Sequence, residues 1–267
     1  MNLTIFRRSL RLQRRALIGW TIAFVLLTII TLVSWPSIRE GAEEFQKAID
    51  TLPESMKAFV GDLSDATTGP GFIRGRLFAL MLPLLFLVYA VGRAGDTIAG
   101  EEERGGLDLL LAQPNPRARL LLQKAASIAL GVLLLEVPLV VLLILGDLVF
   151  ALDLHWGRLL VTFVMLLLHT YAVGGIALAV GSSTGRKVYA IAAGAGVGAA
   201  GFLFEGLANL AKEIEFLRYV STFYYYGGGK TLTTVDPWVG LIVLTLLTAA
   251  TLVVSVILFE RRDIAVA

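Results

Sequence analysis

AASIALGVLLLEVPLVVLLILGDLVF, residues 125–150, holds one ionisable group, Glu136, before Asp147 near its end. As a helix rising about 1.5 Å per residue it covers about 39 Å, enough to cross a hydrocarbon core of about 30 Å with tilt to spare. Such a run cannot be the face of a soluble domain. It predicts a membrane-spanning helix, and the rest of the chain is read from it.

Five further runs have the same character: Ala16–Trp35, Leu77–Ala94, Leu159–Val180, Val188–Leu210 and Val239–Phe259. The run from Val188 is rich in glycine and carries Glu205 and Asn209. Composition agrees, with 57% hydrophobic and 16% charged residues. A soluble domain has about 45–50% apolar and about 25% charged residues. The expected fold class is all-α, a polytopic membrane protein with six transmembrane helices in a single domain over residues 1–267.

Charge sets the expected orientation. Arg7, Arg8, Arg11, Arg14 and Arg15 precede the first run, and Arg93, Arg104, Arg117, Arg119 and Lys124 border the second and third. Arg186 and Lys187 follow the fourth, and Arg261 and Arg262 follow the sixth. Six spans place all four groups on one side, which the positive-inside rule makes the cytoplasm, with both termini inside. The first run is too long for a cleaved signal and lacks a small-residue cleavage site, so it reads as a signal anchor.

Between the runs, Leu3, Phe6, Leu10 and Leu17 fall on one helical face and the arginines largely on another. This predicts an amphipathic interfacial helix over residues 1–15, lying on the inner membrane lipid. Residues 36–76 read as an external loop with short helices at Glu40–Asp50 and Pro53–Gly61, then a turn at Thr67–Gly71. Residues 211–238 read as a second external loop, with a helix at Lys212–Leu217 and interfacial tyrosines at Phe223–Tyr226.

Several chemistries are excluded. The chain has no cysteine and two histidines, His155 and His169, so thiol catalysis, Cys-ligated metal and an H-E-x-x-H protease are absent. Gly229-Lys230-Thr231 resembles the end of a phosphate-binding loop, but the glycine required five positions earlier is Tyr224. No nucleotide site is therefore expected here. Glu136 and His169 are the candidate pathway groups. A carboxylate within a span is costly unless it faces a cavity or a hydrogen-bonding partner; for Glu136 packing is as good an account as a pathway role, and for His169, beside Thr170 and Tyr171, packing is the commoner account. Gly194 and Gly198 form a small-xxx-small pair, suited to close packing within the chain or to a subunit-facing helix.

Residues 95–124 differ in kind. Glu101, Glu102 and Glu103 supply acid suited to a helix N-terminus. Leu107, Leu110 and Leu111 give an apolar stripe, and Pro114 stops the helix before Arg117. The expectation is a short helix presenting leucines to the cytoplasm, either to dock in a partner's groove or to fold back on the membrane.

The stretch Ala99-Gly-Glu-Glu-Glu-Arg-Gly-Gly-Leu-Asp-Leu-Leu-Leu-Ala-Gln-Pro-Asn-Pro-Arg117, with Lys124 after it, resembles the internal loop of type-2 ABC transporter permeases. That family's pattern is approximately G-E-E-x-x-G-T-L-E-L-L-L-[SA]-x-P-x-[ST]-R, followed by a Gly-Lys or similar pair. The Arg-rich start, Phe223-Tyr-Tyr-Tyr and Phe259-Glu-Arg-Arg-Asp-Ile264 agree with it. Gly106 replaces a Thr of the pattern, and Gln123 a Gly. The resemblance implies a multi-pass exporter permease in a prokaryotic plasma membrane, itself non-catalytic. It would work with a second permease copy or paralogue and with cytoplasmic ABC ATPase subunits that carry ATP and Mg. No cofactor in this chain and no nucleic-acid partner is expected. The coupling contact would comprise Glu101, Glu102, Glu103, Arg104, Leu107, Leu110 and Leu111, with Pro114 and Arg117 fixing its exit. Two other readings remain open: a membrane anchor or regulator that binds an ATPase without transport, and an ion-coupled carrier using Glu136.

Overall fold

A computed structural model describes residues 4–41, 51, 67–107, 116–208, 212–233 and 236–262, and all regular structure among them is helical. The elements are α1 (Thr4–Glu40), α2 (Gly69–Ile73), a π-helical turn (Arg74–Phe78), α3 (Met81–Thr97), α4 (Ala99–Glu103), α5 (Arg117–Phe150), α6 (Trp156–Thr184) and α7 (Lys187–Ala208). A 3₁₀ segment (Lys212–Val220), α8 (Thr222–Tyr226), a second 3₁₀ turn (Gly227–Leu232) and α9 (Trp238–Arg261) complete the chain. Six helical stretches are long and apolar enough to cross a membrane: Ile5–Glu40, Gly69–Thr97, Arg117–Phe150, Trp156–Thr184, Lys187–Ala208 and Trp238–Arg261. They coincide with the six runs read from the sequence.

The first helix extends beyond both ends of the apolar run Ala16–Trp35. The N-terminal tail is not a separate interfacial helix; it is the first part of the 37-residue α1. No Gly or Pro interrupts the chain from Thr4 to Ile18, so nothing breaks the helix where the tail should turn along the lipid. Its inward face is also polar where it must be: Gln13 donates to Ser127 Oγ at 3.2 Å and accepts from the Tyr89 hydroxyl at 3.0 Å. At the other end the helix continues through Pro36 to Glu40. Proline there costs one ladder hydrogen bond close to the terminus, which a long, packed helix tolerates.

The predicted helices at Glu40–Asp50 and Pro53–Gly61 fall outside the described residues, apart from Glu40 and Gly41. The predicted turn at Thr67–Gly71 is instead a helix start. Thr68 Oγ accepts from Gly71 N–H at 3.2 Å, and Pro70 occupies the first turn of α2.

Neighbour pairs give the helix directions. Gln13 meets Ser127 and Leu32 lies against Gly146, so α1 and α5 run parallel. Thr248 donates to Leu168 O and Ser255 to Gly175 O, so α9 and α6 also run parallel. Gly95 faces Ile191 and Gly198 faces Leu87, which makes α3 and α7 antiparallel. The α6 span is the most buried of the six and forms the centre of the bundle. At Gly194 a methyl group would lie 2.8 Å from Val91 Cγ2 and 2.9 Å from Ala177 Cβ. The small-residue face of α7 therefore closes against α3 and α6 of the same chain.

The tyrosine segment departs most from expectation. Tyr226 is fully buried, and its hydroxyl donates to Phe78 O at 2.9 Å. Ser221 caps α8 by accepting from Phe223 N–H, and Gly227, Gly228 and Gly229, all at positive φ, reverse the chain immediately after it. A capped single turn followed by three left-handed glycines folds the aromatics back into the bundle instead of leaving them as an interfacial belt.

Candidate functional site

At one end of the bundle charged residues from three parts of the sequence meet: residues 93–124, the start of α7 and the end of α9. The loop root begins with α4, a single turn holding Glu101, Glu102 and Glu103. It ends where Gly105 adopts φ +68° and the N–H groups of Gly105 and Gly106 return to Glu102 O and Glu101 O, each at 2.8 Å. The left-handed position falls on Gly105. Gly106, where the family pattern has Thr, has ordinary backbone and room for a side chain.

Each glutamate of this turn is bound to a different span. Glu101 forms an ion pair with Lys124 of α5, whose ammonium also donates to Thr97 O at 2.7 Å. Lys124 is 2% exposed. Glu102 binds Arg262, just beyond α9, through both carboxylate oxygens, with Arg262 Nη1 at 2.9 Å from Oε2. The Arg262 carbonyl in turn accepts from Arg117 Nη1 at 2.7 Å, joining the start of α5 to the end of α9. Glu103 accepts the Lys187 backbone N–H at 2.8 Å, at the first residue of α7. Asp96, near the end of α3, binds the Lys187 ammonium at 2.6 Å and lies 3.7 Å from both Arg93 and Arg104.

The geometry revises the reading of the loop. The glutamates occupy their own turn rather than the N-terminus of a leucine helix. Leu107 is 1% exposed and belongs to the core, so it is not a presented leucine. Glu103 and Arg104 are exposed. Leu110, Leu111 and Pro114 lie outside the described residues, and Arg117 opens α5. Sequence reasoning missed Asp96, Lys187 and Arg262 as partners of this turn. The signal was present: three acids and a preceding Asp lie on the side where four basic groups converge.

The candidate pathway groups meet elsewhere, at the re-entrant turn. His169, fully buried on α6, stacks on the Tyr226 ring at 5.1 Å and meets Phe223 edge-on at 4.6 Å. The Thr222 backbone is the polar group beside it, without the alignment of a hydrogen bond. Glu136 on α5 is 3% exposed, and its Oε1 has no hydrogen-bond partner among the described residues. The structure thus places His169 directly against the buried Tyr226 ring, with Glu136 within electrostatic range of the same tyrosine. Asp147 has a structural role: it accepts from Leu154 N–H at 3.0 Å and Trp156 Nε1 at 2.8 Å, closing the short α5–α6 connection. The Gly229-Lys230-Thr231 run is no phosphate cradle, since the Thr231 hydroxyl points into the core and donates to Met165 Sδ at 3.3 Å.

No curated protein matches the chain. The family described as ABC-2 family transporter protein matches residues 3–264. Six apolar helices and a charged loop root tied to the ends of the spans are what that match covers, and the chain belongs to the ABC-2 transporter family as a membrane transport component.

Proposed function

We propose that the chain is the permease subunit of an ATP-binding-cassette exporter, pairing with a second permease and coupled through residues 95–124 to separate ATPase subunits. The basic end of the bundle faces the cytoplasm of a prokaryotic cell. One observation carries the coupling reading: consecutive glutamates of one turn are bound to the start of α5, the end of α9 and the start of α7, while α3 runs directly into that turn. A push on the loop is therefore delivered to four spans at once. Proteins transmit displacement through such contiguous hydrogen-bonded and packed networks.

On this proposal the labour within the loop is divided. Glu101, Glu102 and Leu107 anchor it, Glu103 and Arg104 stand at the exposed rim, and Leu110 and Leu111, ahead of Pro114, make the contact with the ATPase. Arg117 ties the exit of the loop to the end of α9. Glu136 and His169 line the pathway, with Tyr226 stacked on His169.

The test is the pair Leu110→Ser/Leu111→Ser in the full chain co-expressed with its ATPase. Co-purification of the ATPase should fall at least tenfold, the loss of two apolar anchors of about 1.5–3 kcal/mol each, while membrane insertion stays normal. Undiminished ATPase capture by this double variant overturns the docking assignment. Leu107 is left intact because its replacement would open the core.

A further inference from the structure

Beside the loop root lies a polar cavity that the coupling reading does not use. It has a volume of about 350 Å³ and is enclosed by the first turns of α1, the end of α3, the α4 turn and Lys124. Ligand sites commonly measure about 300–1,000 Å³. Arg8, Arg93, Arg104 and Lys124 line it against two carboxylates, Asp96 and Glu101. Both carboxylates are already engaged: Glu101 holds Lys124, and Asp96 also holds Lys187, which lies outside the cavity. The balance of the lining is cationic.

Three observations indicate a missing anion. Among the described residues Arg8 has no ion pair, although it and Arg104 both act on Lys124 as like charges. The Arg93 Nε is buried and has no acceptor. Gathering cations around a buried ammonium is unfavourable unless an anion joins them, and a buried N–H without an acceptor costs about 1–3 kcal/mol. A phosphate, with several acceptor oxygens, would accept from the Arg8 and Arg104 guanidinium groups that line the cavity and neutralise them.

The rim identifies the source of that phosphate. Leu12, on the cavity wall, is 63% exposed, and the cavity sits at the end of the membrane-spanning bundle, where headgroups lie. Cations behind an exposed apolar side chain suit a lipid with its phosphate inside and its chains alongside α1. We propose that this cavity binds the phosphate of an anionic membrane lipid and thereby links α1 to the loop root. The site requires neither the ATPase nor a particular orientation of the chain, so its failure leaves the transport reading untouched.

The test uses the full chain, purified in detergent and stripped of lipid. It is titrated with phosphatidylglycerol, with phosphatidylcholine and with inorganic phosphate, binding being followed by native mass spectrometry and thermal shift. Phosphatidylglycerol should bind saturably and phosphatidylcholine weakly. Arg8→Ala/Arg104→Ala should weaken phosphatidylglycerol about tenfold or more, given the attraction contributed by each cation. Arg11→Ala/Arg15→Ala, which removes equal charge outside the cavity, should leave affinity within about twofold. If the alanine pair fails to fold, Arg8→Lys/Arg104→Lys keeps the charge and should retain most of the binding. Equal weakening by both alanine pairs would reduce the effect to diffuse surface attraction and overturn the site. Inorganic phosphate binding as tightly as the lipid would overturn the lipid assignment.

Discussion

Lys124 shows how a buried charge acquires a duty. An ammonium with 2% of its surface exposed is tolerable because Glu101 and the Thr97 carbonyl surround it. Removing one partner of a buried pair leaves the other charge uncompensated, whereas replacing both with apolar groups is often neutral. Glu101→Gln should therefore destabilise the full chain by about 2–4 kcal/mol, somewhat less than a fully buried pair because the Glu101 side chain is 18% exposed. Lys124→Met combined with Glu101→Gln should recover most of that loss. Glu103→Gln, at an exposed position with one backbone partner, should cost less than about 1 kcal/mol. Thermal unfolding in detergent checks the order: Glu101→Gln lowest, the double variant and Glu103→Gln near wild type. If the double variant restores stability but not coupling to the ATPase, the pair serves transmission as well as folding.

At the scale of elements, the re-entrant turn is where sequence patterning and structure diverge most. Ser221 as cap and Tyr226 as anchor fold α8 inward, while Tyr224 and Tyr225 stay part-exposed. The chain has no native cysteine, so single cysteines report exposure cleanly. Tyr224→Cys should react with a soluble maleimide much faster than Tyr226→Cys. Adding Ser221→Ala should narrow that difference, because loss of an N-cap costs about 0.5–2 kcal/mol and frees the turn. Equal reactivity in the parent background would refute the inward fold. The six spans were legible because lipid demands long apolar runs whatever their partners. The tyrosine turn was not, because the same aromatics suit an interface or a core, and the choice depends on Phe78 O, 148 residues away in sequence. The α4 clamp was legible in half. Acid and base could be counted on one side, but the pairing of Glu102 with Arg262 spans 160 residues and follows only from helix packing. The N-terminal tail was misread because a period of apolar residues fits an interfacial helix and a packed one alike. Gln13, polar at a buried position, was the residue that distinguished them.

For the whole molecule, orientation and energetics rest on the same residues. Arg93, Arg104, Arg117, Lys124, Lys187 and Arg262 gather around Asp96 and the α4 glutamates at one end of the bundle. Arg74 and Arg158 both bind Thr233, and Asp147 binds Leu154, at the other. Translocating the first end would mean carrying that dense cationic group across the bilayer, which the retention of Lys and Arg on the cytoplasmic side opposes. Thr184→Cys, exposed at the clustered end, and Asp236→Cys, exposed at the far end, test this in intact cells. A membrane-impermeant maleimide should label Asp236→Cys directly and Thr184→Cys only after the membrane is opened. The reverse pattern would place the α4 turn outside the cell, away from any ATPase, and the coupling proposal would fall with it. The fold, the six spans and the contacts of Lys124 would stand unchanged, because none of them depends on which side of the membrane the turn faces.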